Sequence, residues 1–361
     1  MLTKSLFLPS YTIGDEAYKE VLNICKKYGK KIVFIGGKTA LDVAEKKLRE
    51  VLKNSSFEIL GSFWYGGEAA YENVEKLKEK KEILEADMIF AVGGGKALDT
   101  CKVLSSQLDK ALFNFPTIAS TCAATTCVCA MYNENGSFKD LYWRKRPAEH
   151  VFIDTEIIAQ APTKYLWAGI GDTLAKGYEP EFSARGRELD NKNLTGITLS
   201  SLCSAPLIKY GKKALESSMN KSSSMELEEV ILSIIVSTGL VSNCVDNDYN
   251  SCVAHAVCYG FSMLHEVEEK HLHGELVSYG VLVQLVLDNK IEELKKLLEF
   301  YKEIGLPTTF NKFSVTQEEI NNVVLKKASE VNDIKVAAVT VNYEVLREAV
   351  YRLESLINNG F

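Results

Sequence analysis

Apolar residues in about the first 160 positions occur in short runs that alternate with segments of helical spacing. The runs predict five strands, at Lys31–Ile35, Phe57–Leu60, Asp87–Val92, Ala111–Phe115 and Val151–Asp154. The segments between them predict helices at Thr39–Leu52, Ala70–Leu84 and Ala97–Leu108. Strands that alternate with helices indicate a mostly parallel sheet that is covered on both faces.

From about Thr163 onward the period of the apolar positions becomes helical, and strand signals almost vanish. Helices are predicted at Tyr165–Ser183, Asn191–Ser217, Met225–Leu240, Cys244–Leu264, Val277–Ile304 and Tyr343–Ile357. A chain of 361 residues exceeds what one core usually supports. We therefore expect an α/β domain over residues 1–161 and an all-α domain over residues 162–361, with a ligand in the cleft between them.

Composition and charge narrow the class of protein. The net charge of -6 argues against general binding of nucleic acid or anionic membranes, since both need a basic surface. No stretch of about 18 uncharged apolar residues occurs, so no membrane-spanning segment is expected. The nine cysteines are scattered without a Cys-x-x-Cys pair. Reduced thiols and a cytoplasmic location are therefore the simpler interpretation.

Two glycine-rich turns follow predicted strands. Gly93–Lys96 precedes a helix that carries Asp99 in its first turn, and exposed N–H groups at such a helix start bind phosphate. A pyrophosphate site is predicted here, and a tight turn that binds nothing is the alternative. After Gly36 and Gly37 no acidic residue stands where NAD folds often hold the ribose. Lys38 could favour a 2′-phosphate, so NADP stays open beside NAD.

Histidine and aspartate positions suggest a metal site. Four of the five histidines fall between positions 255 and 273. His255 lies in an apolar helical stretch, where a histidine is usually a satisfied core residue. His273 precedes Gly274 at an expected loop-to-helix junction. Asp172 follows a Gly-Ile-Gly run and is expected to open a helix, where it could simply act as the cap. One carboxylate and two imidazoles would leave coordination positions open for catalysis.

Four ordered motifs resemble the glycerol dehydrogenase branch of the iron/zinc-containing alcohol dehydrogenases. They are Gly93–Lys96, Pro116–Ala123, Gly169–Asp172 and His273–Glu275. The resemblance covers nearly the whole chain, and some motifs look closer to the bacterial hydroxycarboxylate dehydrogenase relatives. It implies a dehydroquinate-synthase-like fold, with an N-terminal nucleotide-binding domain and a C-terminal helical, metal-binding domain.

The resemblance also implies a set of site residues. Asp172, His255 and His273 would be the metal ligands and the catalytic centre. The cofactor-binding residues would be Gly94, Gly95, Lys96, Asp99, Thr117, Ser120, Thr126, Val128 and Tyr132. Many iron-containing relatives carry a further histidine where this chain has Lys176. The ion is therefore expected to be zinc rather than iron. Lys176 itself would be a solvated lysine or an anchor for a substrate carboxylate.

The expected function is hydride transfer between NAD(P) and a small polyol such as glycerol, by a homo-oligomeric enzyme. Cys122 is assigned to the substrate site, at a position where glycerol dehydrogenases typically have aspartate. Since a thiol is a poor acceptor for hydroxyl groups, a 2-oxo/2-hydroxycarboxylate reductase is the alternative. Glycerol-1-phosphate dehydrogenase and a dehydroquinate-synthase-like lyase rank lower, because no basic cluster for a phosphorylated substrate is evident near Asp172 or His273. A non-catalytic binding protein ranks lowest.

Overall fold

The computed structural model describes residues 5–361, and their packing forms two compact units. The first comprises the described residues up to Tyr165 together with Glu216–Asn243. The second comprises Leu166–Leu215 and Cys244–Phe361. The sequence pattern predicts one boundary, at residues 161–162, whereas packing assigns the helical stretch from Glu216 to the first unit. Periodicity indicates that a segment is helical but does not indicate what it packs against.

Eight strands lie in the first unit. They are β1 (Tyr11–Ile13), β2 (Lys31–Gly36), β3 (Glu58–Trp64), β4 (Met88–Gly93), β5 (Ala111–Pro116), β6 (Val128–Tyr132), β7 (Phe138–Trp143) and β8 (His150–Ile153). Six form a parallel sheet in the order β1-β8-β5-β4-β2-β3, and β6 pairs with β7 in an antiparallel hairpin. All five predicted strands are present. Neither β1 nor the hairpin was predicted from the sequence.

Helices make up most of the remaining structure. In the first half they are α1 (Val21–Cys25), α2 (Lys38–Leu52), α3 (Tyr71–Lys78), α4 (Lys81–Glu85), α5 (Gly95–Leu108), α6 (Thr155–Gln160), α7 (Thr163–Ala184), α8 (Asn191–Leu199) and α9 (Ser201–Met219). They continue with α10 (Met225–Ile231), α11 (Thr238–Cys244), α12 (Val253–Phe261), α13 (His265–Lys270), α14 (His273–Leu287), α15 (Ile291–Ile304), α16 (Gln317–Glu319), α17 (Lys326–Glu330) and α18 (Tyr343–Asn358). Leu232–Ser237 and Ile320–Leu325 are π-helical turns.

The parallel sheet has its topological switch between β2 and β4. From β2 the chain moves outward to β3, and from β4 it moves the other way, to β5 and then β8. Gly36 at the end of β2 lies opposite Val92, and Gly93 lies opposite Pro116. Both glycine-rich turns therefore lie at the carboxyl edge of the sheet beside the switch, which is where open α/β sheets bind ligands.

The helical stretch Met225–Cys244 is built into the first unit. Thr125 donates its hydroxyl proton to the carbonyl of Ile235, and a Cβ at Gly239 would lie 2.0 Å from that same hydroxyl. Among the described residues this one segment is long and apolar enough to cross a membrane, by length and composition alone. About two thirds of its most apolar stretch (67%) is buried within the protein, and the core helix of a globular protein can have the same length and composition.

Candidate functional site

Asp172, His255 and His273 come together within the second unit. Asp172 lies in α7, His255 in the first turn of α12, and His273 begins α14. The Nε2 atoms of both histidines lie 3.6 Å from Asp172 Oδ1, and the three candidate ligand atoms lie within 4.8 Å of one another. Ligands at zinc distances in a tetrahedral site are about 3.3 Å apart. The described residues therefore bring the predicted trio to the spacing that one divalent ion requires.

Two glycines allow the helices that carry these residues to approach closely. A Cβ at Gly274 would lie 1.8 Å from the carbonyl oxygen of Ala168, and one at Gly171 would lie 2.3 Å from the carbonyl oxygen of Gly274. Helices α7 and α14 thus cross backbone to backbone immediately beside Asp172 and His273. The glycines that flank both ligands in the sequence are required by this crossing.

The local setting of Asp172 differs from the prediction. The sequence suggests that Asp172 opens a helix, but α7 begins at Thr163 and Asp172 lies well inside it. That expectation was wrong, because glycines at a close helix crossing look the same in sequence as glycines that end a turn. A helix cap is therefore not the role of Asp172, and its carboxylate faces the two imidazoles instead.

Each imidazole is held on its far side by a second group. Glu179 Oε2 lies 2.6 Å from His255 Nδ1, and Cys258 Sγ lies 3.5 Å from His273 Nδ1. Sequence reasoning missed both groups. A signal for Glu179 was present, because it follows Asp172 by seven residues and two helical turns place both on one face. Partners of this kind fix ring orientation at metal centres.

The carboxylates and imidazoles of the cluster shift one another's pKa values. Burial disfavours the charged form of His255, but the carboxylates of Glu179 and Asp172 outweigh it and raise its pKa to about 10. Burial also opposes ionisation of Asp172, yet the hydrogen bond from His255 and the nearby positive charges lower its pKa. Without a metal ion, the carboxylates of Glu179 and Asp172 thus favour the charged imidazolium form of His255. A divalent ion would take the place of the imidazole protons.

Access to the cluster is uneven. The side chains of Asp172 and His255 are each 14% exposed, whereas that of His273 is 50% exposed. The side of the cluster at His273 is therefore open to small molecules, while the other side is closed by protein. A divalent ion held by these three groups would have one open side, as catalytic metal sites do.

Lys176 is buried rather than solvated. Its side chain is buried, and its Nζ donates to the backbone carbonyl of Asn250 and, at 2.5 Å, to the Asn250 side-chain oxygen. It is therefore not a solvated lysine, and the anchoring of a substrate carboxylate by this ammonium group stays a prediction. The sequence could not distinguish these cases, because the partner lies 74 residues away.

The glycine-rich turn of the first unit leads from β4 directly into helix α5. Gly93 has a φ of +148°, Gly94 is the N-cap of α5, and Gly95 is its first residue. A Cβ at Gly94 would lie 2.6 Å from Ile118 Cδ1. The first N–H groups of the 14-residue helix α5 therefore lie at the carboxyl edge of the sheet, where two successive residues lack side chains.

Other predicted cofactor residues are engaged within the protein. Lys96 pairs with Glu68 at 2.6 Å and lies over the ring of Tyr132. Asp99 binds the buried ammonium of Lys102 at 2.7 Å and accepts the N–H of Ala130. Lys102 also donates to the Thr126 hydroxyl and to the carbonyls of Thr126 and Val128. These contacts shape the turn after β5, and direct cofactor contacts stay a prediction.

The remaining predicted residues lie in the loop that follows β5. Thr117 is buried and donates its N–H to the Gly93 carbonyl at 3.2 Å, which joins this loop to the glycine-rich turn. Ser120 and Cys122 follow in the same loop and are partly buried. The Cys122 carbonyl accepts the N–H of Thr125. The structure therefore groups Gly94, Thr117 and their neighbours in one unit, and the ligand trio in the other.

Comparison with known proteins points to one family. A family model described as iron-containing alcohol dehydrogenase matches residues 12–162. Glycerol dehydrogenase of Thermotoga maritima is 35% identical over 278 residues, 74% of each chain. Hydroxycarboxylate dehydrogenase A of Escherichia coli is 33% identical over 329 residues, covering 90% of this chain and 89% of that one.

Solved structures agree with the sequence matches. The crystal structure of glycerol dehydrogenase from Schizosaccharomyces pombe superposes with a TM-score of 0.87 at 25% identity, over 99% of this chain and 92% of the other. A second, from a probable glycerol dehydrogenase of Sinorhizobium meliloti, gives 0.85 at 24% identity. The predicted fold class, an α/β part and a helical part of the dehydroquinate-synthase-like type, is confirmed.

Proposed function

The chain belongs to the iron-containing alcohol dehydrogenase family, and we propose that it is a metal-dependent oxidoreductase that transfers hydride between NAD and a small polyol such as glycerol. The observation that carries this proposal is the approach of Asp172, His255 and His273 to within one ion's coordination distance. A non-catalytic binding protein would have no use for three such groups at one open site.

Asp172 and the Nε2 atoms of His255 and His273 are the proposed ligands. When bound there, a divalent ion polarises an alcohol or carbonyl oxygen and eases loss of the hydroxyl proton. Glu179 and Cys258 hold the far sides of the two rings, so that the Nε2 atoms stay directed at Asp172. The half-exposed His273 marks the side from which a substrate oxygen arrives. Zinc is our choice over iron, because the place of a further histidine is taken by Lys176.

Gly94 and Gly95 are the proposed pyrophosphate contacts of the cofactor. Their N–H groups begin α5 beside the topological switch of the sheet, and the partial positive charge of a helix start favours an anion. We assign Lys96, Asp99, Thr117, Ser120, Thr126, Val128 and Tyr132 to the same nucleotide site. Asp99 also pairs with the buried Lys102, which holds the carbonyls of Thr126 and Val128 in place. NAD is proposed as the cofactor, with NADP as the alternative.

A 2-oxo or 2-hydroxycarboxylate is the second candidate substrate class. Cys122 favours it, because a thiol replaces the carboxylate that glycerol dehydrogenases typically offer to polyol hydroxyls. The 33% identity to hydroxycarboxylate dehydrogenase A points the same way. Two of the three N–H donors of Lys176 are directed at Asn250, so this side chain does not distinguish the two substrate classes. The 35% identity to glycerol dehydrogenase of Thermotoga maritima keeps a polyol the first choice.

The test is a substrate panel on the purified protein, with its metal content measured on the same sample. Nicotinamide absorbance is followed with glycerol, with 2-oxobutanoate and with 2-hydroxybutanoate, each with NAD(H) and NADP(H). We expect about one zinc per chain and the highest kcat/KM with glycerol and NAD. Preference for the oxo acid would establish the second candidate. No turnover with any alcohol or carbonyl in the metal-loaded protein would contradict the proposed reaction.

The setting of the enzyme is also part of the proposal. We infer a cytoplasmic homo-oligomer that acts on small molecules, from the family resemblance and the cysteine usage of the chain. The acidic net charge of -6 makes nucleic acid an unsuitable partner. Light scattering of the purified protein would measure the subunit number, and a monomer at micromolar concentration would contradict the oligomer.

A further inference from the structure

Glu179 makes contacts that go beyond those of an ordinary buried carboxylate. Its side chain is fully buried in α7, seven residues after Asp172. Oε1 accepts the backbone N–H of Cys252 at 2.7 Å and that of His255 at 3.0 Å. Oε2 lies 2.6 Å from His255 Nδ1. One carboxylate thus holds both the backbone and the ring of the same ligand residue.

The two oxygens have different consequences. Oε1 takes up N–H groups at the start of α12, which have no partner within that helix, and so fixes where the helix begins relative to α7. Oε2 is acceptor-only when the carboxylate is ionised, so His255 Nδ1 must carry the proton of that bond. When a metal ion replaces the second ring proton, the lone pair that binds it is therefore on Nε2, the atom that lies 3.6 Å from Asp172 Oδ1.

We propose that Glu179 is a positioning residue of the metal centre, which sets the tautomer of His255 and the start of α12 so that Nε2 is ready to bind the ion. The inference rests on the proposed metal centre. Helix α7 would then supply both the ligand Asp172 and the carboxylate that orients His255. Neighbouring carboxylates of this kind typically alter metal affinity by about 10- to 100-fold when they are removed.

Glu179→Gln separates the two roles. The glutamine oxygen can still accept both backbone N–H groups, so α12 keeps its start. The amide NH₂ then faces His255 Nδ1, which must become the acceptor, and the ring proton moves to Nε2, where it blocks the ligand position. We expect zinc affinity, measured by competition with a chelator, to fall by about 10- to 100-fold while the far-UV circular dichroism spectrum is unchanged.

Glu354→Gln is the matched control. Glu354 is also a buried carboxylate of the second unit, and it accepts a backbone N–H, from Phe310 at 3.0 Å, and a side-chain donor, Tyr279 at 2.9 Å. It contacts none of the three ligands in the bonds described. The glutamine oxygen can accept both of these bonds, so this variant should keep its fold and its zinc affinity. Equal zinc affinity in folded Glu179→Gln and wild type would overturn the proposal.

A second measurement covers the case in which Glu179→Gln does not fold. Histidine ¹⁵N chemical shifts of the wild-type protein report which ring nitrogen carries the proton, and the chain has five histidines, so the spectrum is simple. We expect His255, identified by its absence in His255→Gln, to carry the proton on Nδ1 in zinc-loaded protein. A proton on Nε2 would refute the role of Glu179. Failure of wild type to bind zinc would instead refute the proposed metal centre.

Discussion

At the scale of single residues, the site depends on partners that the sequence separates widely. Composition could not distinguish His255 from a core histidine, and only the resemblance to a family raised it to a ligand. The structure adds that its ring is directed by Glu179, 76 residues away in the chain. Glu179 was not predicted because a glutamate inside a helix usually faces solvent. Local sequence gives the identity of a group, and long-range packing gives its environment.

His273→Ala should abolish turnover and metal binding together. The substitution removes the most exposed of the three ligands, which leaves the fold intact but the ion with two protein donors. Zinc affinity is expected to fall more than about 100-fold, beyond the effect of losing a supporting group. The control is His265→Ala, whose side chain is 81% exposed and contacts only Glu269 among the ion pairs described. Full activity in a metal-free His273→Ala protein would defeat the scheme.

His150 should make folding stability depend on pH. Its ring is buried at the start of β8, with Ser10 Oγ 2.6 Å from Nδ1 and Thr12 Oγ1 2.9 Å from Nε2. Burial lowers its pKa from 6.5 to about 4. The unfolded chain therefore binds the proton first, so this contribution is complete above pH 6.5 and is lost as pH falls toward 4.

The expected loss of stability is on the order of 1–3 kcal/mol over that interval. Urea unfolding at several pH values measures it. His150→Gln is the control, because an amide can donate to one hydroxyl and accept from the other without titrating. Wild type and the variant should differ in the slope of stability against pH. Identical slopes would mean that His150 does not supply the dependence.

At the scale of elements, strands and helices with a periodic apolar pattern were predicted, whereas short or exposed strands were not. Apolar runs predicted five strands, and all five are present, although β3 is only partly buried. By contrast, β1 has three residues, and β7 is exposed along nearly its whole length, so neither shows a periodic apolar pattern. The predicted helix Val277–Ile304 is two helices, α14 and α15, separated where Asn289 adopts a φ of +56°. Apolar positions continue at helical spacing on both sides of that turn, so the sequence pattern does not reveal it.

Gly274→Ala tests the crossing of α7 and α14. Alanine ordinarily stabilises a helix by about 1 kcal/mol relative to glycine. Here its Cβ would meet the Ala168 carbonyl oxygen at 1.8 Å, a backbone atom that cannot turn aside. The helices must separate, at a cost of about 1–3 kcal/mol. We expect a lower melting temperature and weaker zinc binding, measured by calorimetry and chelator competition. A raised melting temperature with unchanged zinc affinity would exclude a close crossing.

At the scale of the whole molecule, the fold class and the family were predictable, whereas the assignment of one helical stretch to a unit was not. The alternation of strands and helices, followed by helices alone, predicted the two kinds of architecture. The stretch Glu216–Asn243 is helical and follows several helices, yet Thr125 and Asn243 connect it to the first unit. Such contacts join positions more than a hundred residues apart.

The placement of the two proposed sites in different units predicts separable losses. Gly95→Val adds a side chain at the start of α5, where a Cβ has room but a phosphate would be obstructed. We expect this variant to lose the thermal stabilisation by NAD, which is about 2.7 kcal/mol at a hundred times Kd, and to retain its zinc. His273→Ala should lose zinc and retain stabilisation by NAD. Loss of both ligands in both variants would contradict this separation.

We propose that Asp172, His255 and His273 hold one divalent ion without which no hydride is transferred. The most direct measurement removes the metal with a chelator and follows NAD reduction by glycerol while zinc is returned in steps. We expect no turnover in the stripped enzyme and full recovery at one zinc per chain, with no recovery in Asp172→Asn. Undiminished turnover by the stripped wild-type enzyme would contradict it.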